Sequence, residues 1–320
     1  MSNLPTITTT QALTLSRTEK LSRLAHSFLS GRKETTTQAY TQDLEDFRLY
    51  IGAGSLEEAA ARLASLEHGD ANLIALEYRA YLKAQRKQPA TINRRLASLR
   101  SLVKYAGTLG LVSWKLEVKN EKAEAYRDTA GISPEAFKRL LTTTAAQRNK
   151  NKAARDIALL RLMYDLGLRR AEVLGLDLED YDHERRTIAI TGKGRTQKQA
   201  LTLSPQAEAA LKGWISARGE HGGALFTDFD KAQKAPGRLT LIGLTLAIRD
   251  LGTKAGLKLT PHKLRHSAIT QACKLAQANG IDLEEVLDFS RHKDVRTLLI
   301  YRDRERNVQG SLAALVAATA

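Results

Sequence analysis

A chain of 320 residues, 42% hydrophobic and 27% charged, has the make-up of a globular protein long enough for two compact domains. Its 50 Lys+Arg against 35 Asp+Glu give a formal net charge of +15, which favours a polyanion, nucleic acid before a membrane surface because no long basic amphipathic helix is present. The single cysteine, Cys273, excludes an intramolecular disulfide and a cysteine-based zinc finger; with no roughly 20-residue apolar run and no signal-peptide pattern, a reducing, cytoplasmic setting without a membrane partner is expected.

Residues 1–15, rich in Thr, Ser and Gln, read as a flexible tail. Residues 16–112 read as helical throughout. Leu21, Leu24, Ala25 and Phe28 recur at helical spacing, and Tyr40, Leu44 and Phe47 form a second stripe. Ser55 with Glu58 has the spacing of a capping box. Pro89 starts a helix with Ile92, Leu96, Leu99 and Val103 on its core face. Arg94 and Arg95 point elsewhere, and Arg100 and Lys104 share a side. With Lys83, Arg86 and Lys87 upstream, these residues form either a phosphate-contacting surface or a solvated basic face.

Residues 113–130 break the helical pattern with dense charge and read as a linker. Ser133-Pro134-Glu135 is a strong helix start and opens a second domain, 131–309. A helix over 151–168 with Ile157, Leu160 and Tyr164 on its apolar face ends at Gly167. Two β-prone stretches, Thr187–Ile190 and Gln199–Leu203, flank Gly192-Lys193-Gly194-Arg195, so a hairpin with Lys193 near its tip is expected. Ser204-Pro205 caps a helix through about 217, and Thr240 to Gly256 is helical. Thr260-Pro261 caps the next helix, which puts His262 and Arg265 on one face at the positive helix end, where they could grip an anion. Asp282 precedes another helix. Residues 310–320 form a short apolar helix that folds back on its own domain or docks on a neighbouring subunit.

A phosphodiester transfer without a metal needs a nucleophile, cations to neutralise the pentacoordinate phosphate, and an acid for the departing oxygen. The chain offers Tyr301; then Arg169, Arg265, His262 and His292; then Lys193. Rival chemistries lack their motifs. There is no P-loop, no HExxH around the i,i+4 pair His262 and His266, and no Gly-x-Ser-x-Gly.

Gly167-Leu-Arg169-Arg-Ala-Glu172-Val-Leu, Gly192-Lys193-Gly194, Pro261-His262-Lys-Leu-Arg265-His266, and His292 with Tyr301 nine residues on resemble the successive motifs of the tyrosine recombinase (phage integrase) family. The chain is identified as a simple two-domain, Xer-like member. The resemblance implies a mainly α fold: an all-helical, SAM-like core-binding domain, then a mixed α/β catalytic domain with a small β-sheet or hairpin. It implies a site-specific recombinase that cleaves and rejoins double-stranded DNA through a 3′-phosphotyrosine, with no cofactor, neither metal nor ATP, and that works as a tetramer on two sites. In it Arg169 and Arg265 clamp the phosphate, and Lys193 protonates the 5′-oxygen. His262 assists acid–base chemistry, His292 hydrogen-bonds a nonbridging oxygen, and Tyr301 attacks. Glu172 supports the site. A type IB topoisomerase-like relaxing enzyme and a non-catalytic DNA-binding protein on the same fold are the alternatives. The chain departs from the family at Ser290-Arg291, where Leu-Gly is common; Arg291 is expected to contact DNA or to alter the local geometry.

Overall fold

A computed structural model describes residues 15–122, 131–192, 197–229, 237–292, 294, 295, 298, 313 and 316–319. The chain divides into two units, Met1–Tyr126 and Arg127–Ala320. Among the described residues no helix is long and apolar enough to cross a membrane.

The first unit is helical: α1 (Arg17–Ser22), α2 (Leu24–Leu29), α3 (Glu34–Tyr50), α4 (Leu56–Ser65), α5 (His68–Ala84) and α6 (Pro89–Thr108). The apolar stripes named above meet in one core of Leu24, Phe28, Leu44, Phe47, Tyr78, Leu96 and Leu99. Ser55 Oγ accepts the Glu58 N–H at 3.1 Å, as the capping spacing predicts, while the Glu58 carboxylate accepts the Gly54 N–H at 2.7 Å. The charged stretch read as a linker begins inside this unit, because Leu116 and Val118 are buried in the same core. Alternating apolar residues in a segment without helical period gave no sign of that docking.

The second unit begins with α7 (Pro134–Ala145), α8 (Lys150–Asp165) and the short α9 (Arg170–Leu174). A small sheet follows, β1 (Tyr181–Asp182), β2 (Thr187–Thr191) and β3 (Lys198–Thr202), antiparallel in that order. Ile188 and Ile190 point into the core from β2 and are fully buried, so the register with β3 (Ile188 opposite Leu201) is set by the period-2 alternation. The expected β2–β3 hairpin is present, and β1 adds a strand that the sequence pattern did not show. The hairpin tip, with Lys193 and Arg195, lies outside the described residues. The helices α10 (Pro205–Arg218), α11 (Leu241–Lys254), α12 (Pro261–Ala278) and α13 (Leu283–Ser290) complete the unit.

Helix α8 lies at the centre, packed against α7, α10 and α12. Ala153, Ala158, Leu159, Leu160, Leu162 and Met163 bury it on most of its circumference, a wider face than the expected stripe of Ile157, Leu160 and Tyr164, of which Ile157 and Tyr164 are only partly buried. Its buried charges pair locally: Arg155 Nη2 donates to Asp156 Oδ1 at 2.7 Å, and Arg155 Nη1 to the Thr227 carbonyl at 2.9 Å. Trp214 on α10 is 2% exposed and donates its indole N–H to the Leu225 carbonyl at 2.8 Å. Trp214→Ala opens a cavity and leaves that carbonyl without its donor. A loss of about 3–5 kcal/mol in chemical unfolding is expected.

Candidate active site

The site is assembled from two turns and the start of one helix, all within the second unit. Gly167 follows α8 with φ +58, a left-handed conformation that favours glycine, and a Cβ added there would meet Phe289 at 3.5 Å and Ala268 at 3.7 Å. The chain then runs through the fully buried Leu168 to Arg169, the N-cap of α9. Glu172, three residues on, holds Arg169 twice. Its carboxylate accepts the Arg169 backbone N–H at 2.8 Å and Arg169 Nη1 at 2.6 Å. Burial pushes the Glu172 carboxyl up, but the Arg169 N–H, the Arg291 charge and the Arg169 side chain outweigh it and hold it below the usual carboxylate range. The Arg169 guanidinium is thereby oriented while its side chain stays 28% exposed.

The start of α12 follows the predicted chemistry. Pro261 occupies the first turn, and Thr260 Oγ1 accepts the Lys263 N–H at 3.2 Å. His262 is exposed, and its ring meets that of His266 edge-on at 4.0 Å. Arg265, one turn into the helix, is only 4% exposed. It donates to the carbonyls of Gly167 and Ser290, and its Nη2 lies 3.5 Å from His292 Nε2. One arginine therefore links the α8–α9 turn to the end of α13, and does so with a residue 98 positions away in the chain.

Arg169, His262, Arg265 and His292 line one cleft of about 490 Å³, together with Arg170, Thr245 and Arg249. Thr245 and Arg249 were not singled out in the sequence. Their i,i+4 spacing on α11 places them on one face, but nothing local indicated that this face overlooks the cleft. Burial pushes the His292 imidazole down to about 4, helped by Arg265, Arg169, Arg291 and His262. At neutral pH it is uncharged, a hydrogen-bonding group among cations. Among the described residues no group of three His, Cys, Asp or Glu side chains is arranged to hold a metal ion. Tyr301 and Lys193 lie outside the described residues, as does most of 310–320.

The basic residues expected at a DNA surface divide into two classes. Arg86, Lys87 and Lys104 are exposed, and Lys83 is exposed beside Glu121 at 3.1 Å. Arg94 is 44% exposed and pairs with the buried Asp43 at 2.8 Å. Arg95, by contrast, is 11% exposed and bonded to Asp46 at 2.6 Å. Arg100 donates to the Val118 carbonyl and to Asn120, both at 2.8 Å, which fastens the segment after α6 to its own unit. Arg291 also turns inward, its side chain 8% exposed, so it takes the second of its two expected roles, shaping the loop rather than facing outward. Arg95, expected on a phosphate-contacting or solvated face, is instead held inward, as is Arg291, because carboxylates and carbonyls of the folded chain capture them.

A profile of the phage integrase family matches residues 132–307. A tyrosine recombinase of Synechocystis sp. (strain ATCC 27184 / PCC 6803 / Kazusa) is 39% identical over 292 residues, covering 89% of this chain and 91% of that protein. Tyrosine recombinase XerC of Corynebacterium efficiens is 29% identical over 273 residues, 85% of this chain and 81% of that one. Among solved structures, the Tn1549 transposon integrase in complex with transposon right end DNA shares the fold with a TM-score of 0.68 at 16% identity, over 94% of this chain and 99% of that one. The XerH site-specific recombinase bound to palindromic difH substrate, a post-cleavage complex, gives 0.64 at 20% identity, over 94% and 85%.

The low His292 value has a thermodynamic consequence. Its folded value lies below the ordinary 6.5, so the unfolded chain binds the proton more readily. The stability this contributes is present in full above about pH 6.5 and is lost as pH falls towards 4. The NMR signals of the His292 ring in the DNA-free protein should stay constant until below pH 5. The melting temperature should fall less steeply over this window in His292→Asn than in the wild-type chain.

Proposed function

The chain is a tyrosine recombinase of the phage integrase family, and from that we propose that it cuts and rejoins double-stranded DNA at specific sites through a covalent 3′-phosphotyrosine. The observation that carries this is the convergence of Arg169, Arg265, His262 and His292 on one cleft. Planar guanidiniums donate paired hydrogen bonds to phosphate oxygens, and here they are fixed before any phosphate arrives, by Glu172 and by main-chain carbonyls. A cleft preorganised in this way stabilises the extra charge of a pentacoordinate phosphate without reorganising. The structures of DNA complexes among proteins of this fold support double-stranded DNA as the partner.

In the step itself the Tyr301 phenolic oxygen bonds to phosphorus, and the bond from phosphorus to the 5′-oxygen breaks. His262 takes up the phenolic proton, and Lys193 gives a proton to the departing 5′-oxygen. The neutral His292 hydrogen-bonds a nonbridging oxygen beside Arg169 and Arg265. Attack by a 5′-hydroxyl of another strand reverses the step, so rejoining draws on the phosphotyrosine bond and needs neither ATP nor a metal. The exposed residues Arg86, Lys87, Lys104, Lys83 and Arg94 of the first unit, with Arg195, supply backbone contacts.

A suicide duplex nicked just downstream of the scissile phosphate releases the short fragment that carries the new 5′-hydroxyl, so rejoining fails and the adduct is trapped. Wild-type protein is expected to accumulate a covalent species of protein plus DNA, and Tyr301→Phe none. Adduct formation by Tyr301→Phe would reject the assignment, and relaxation of supercoiled DNA without exchange between two duplexes would favour the topoisomerase-like alternative.

Four protomers act on two sites, and the apolar segment 310–320 joins neighbours. Deleting it should leave binding to one half-site unchanged and abolish the largest complexes in native gel electrophoresis. Unaltered complex sizes would refute that role.

A further inference from the structure

Arg291 closes α13 with φ 53 and ψ 36. A side chain with a Cβ rarely adopts this left-handed conformation, so a long cation held there needs compensating interactions. They are several. Arg291 Nη1 donates to the carbonyls of Phe289 at 3.0 Å and Leu166 at 3.2 Å. Its Nη2 donates to the Gly167 carbonyl at 2.9 Å and reaches Glu172 Oε2 at 3.3 Å. Its own carbonyl accepts Arg169 Nη2 at 3.1 Å. Arg291 therefore touches the end of α8, the carboxylate that orients Arg169, and the last turn of α13. The next residue is His292.

We propose that Arg291 is a positioning residue for strand cleavage: its buried guanidinium ties the turn carrying His292 to the turn carrying Arg169, so that both meet the same phosphate. The assignment rests on the cleavage function proposed above. A planar fork can join acceptors on three chain segments at once, whereas a lysine ammonium on a flexible stem cannot hold all of them. Arg169 and Arg291 also share the two oxygens of Glu172, so each guanidinium limits the movement of the other. Arg265 spans the same two turns through the carbonyls of Gly167 and Ser290. Two parallel ties prevent the rotation about one contact that a single tie would allow.

The test compares R291G and R291K. Glycine adopts the left-handed backbone without strain and deletes the whole side chain, guanidinium included, while lysine keeps the charge and most of the stem without the fork. Both are expected to bind a half-site duplex within about twofold of wild type. Both should form the covalent adduct on the nicked suicide duplex about tenfold more slowly in single turnover, as misplacement of a phosphate-binding group would cause. In a His292→Ala background R291G should add less than about twofold, because Arg291 acts through His292; a merely structural loss would be additive. In the DNA-free protein the His292 titration midpoint should rise from about 4 in R291G.

A wild-type adduct rate in R291G overturns the proposal, as does an equal loss in the His292→Ala background or an unmoved His292 midpoint. Should R291G fail to fold, the same measurements on R291K decide. If the wild-type chain forms no adduct, the cleavage function fails separately, and the His292 midpoint in R291K, which keeps the charge and loses only the fork, still decides whether Arg291 sets that turn: a moved midpoint supports it and an unmoved one overturns it.

Discussion

The carbonyl of Gly167 and the carboxylate of Glu172 hold the site together. Three guanidiniums, those of Arg169, Arg265 and Arg291, gather around these two acceptors. Like charges this close would repel one another in an apolar interior, and a single carboxylate cannot neutralise three cations. Main-chain carbonyls supply the rest, and the left-handed Gly167 turn presents two of them, from Leu166 and Gly167. The result is a fixed excess of positive charge at the floor of a cleft. The same field, added to burial, keeps His292 neutral. An anion completes this arrangement, and a phosphodiester has both the charge and the oxygens to do so.

Rigidity comes from beneath. Helix α8 is buried on most sides and delivers the Gly167 turn at its end. Helix α12 packs on α8 and brings Arg265 up to that turn from the other direction. Arg169, His262 and Arg265 therefore stand on helix ends braced by the core rather than on free loops, as a group that must hold sub-ångström geometry requires. In the first unit, Asp43 and Asp46 hold Arg94 and Arg95, and the segment after α6 holds Arg100. A net charge of +15 thus overstates the number of side chains available to a DNA backbone, because some of the cations brace the fold.

Arg291 shows how a departure from a family pattern can be absorbed. The backbone at this position is left-handed, a conformation that glycine adopts without cost. This chain places an arginine in the same conformation and offsets the strain with four hydrogen bonds from its side chain. The turn geometry is kept, and the gain is an extra tie between two segments of the site.

The sequence by itself determined the local elements. Ser133, Ser204 and Thr260 cap the helices they were expected to start, the two β-prone stretches pair as a hairpin, and the three-residue spacing of His262 and Arg265 puts both on the wall of one cleft. Caps, turns and helix faces act over a few residues, so they are legible in the chain itself. Family resemblance extended this to the long-range grouping of Arg169 with Arg265 and His292, which no local rule contains. Only the tertiary structure decided which cations face out. Arg95 and Arg291 look like any surface arginine in a string of letters. Their burial depends on carboxylates and carbonyls that arrive from elsewhere in the chain, as with Glu172, 119 residues from Arg291. The docking of Leu116 and Val118 and the Arg155–Asp156 pair inside α8 were hidden for the same reason. Charge and hydrophobicity belong to a residue, but its partners belong to the fold.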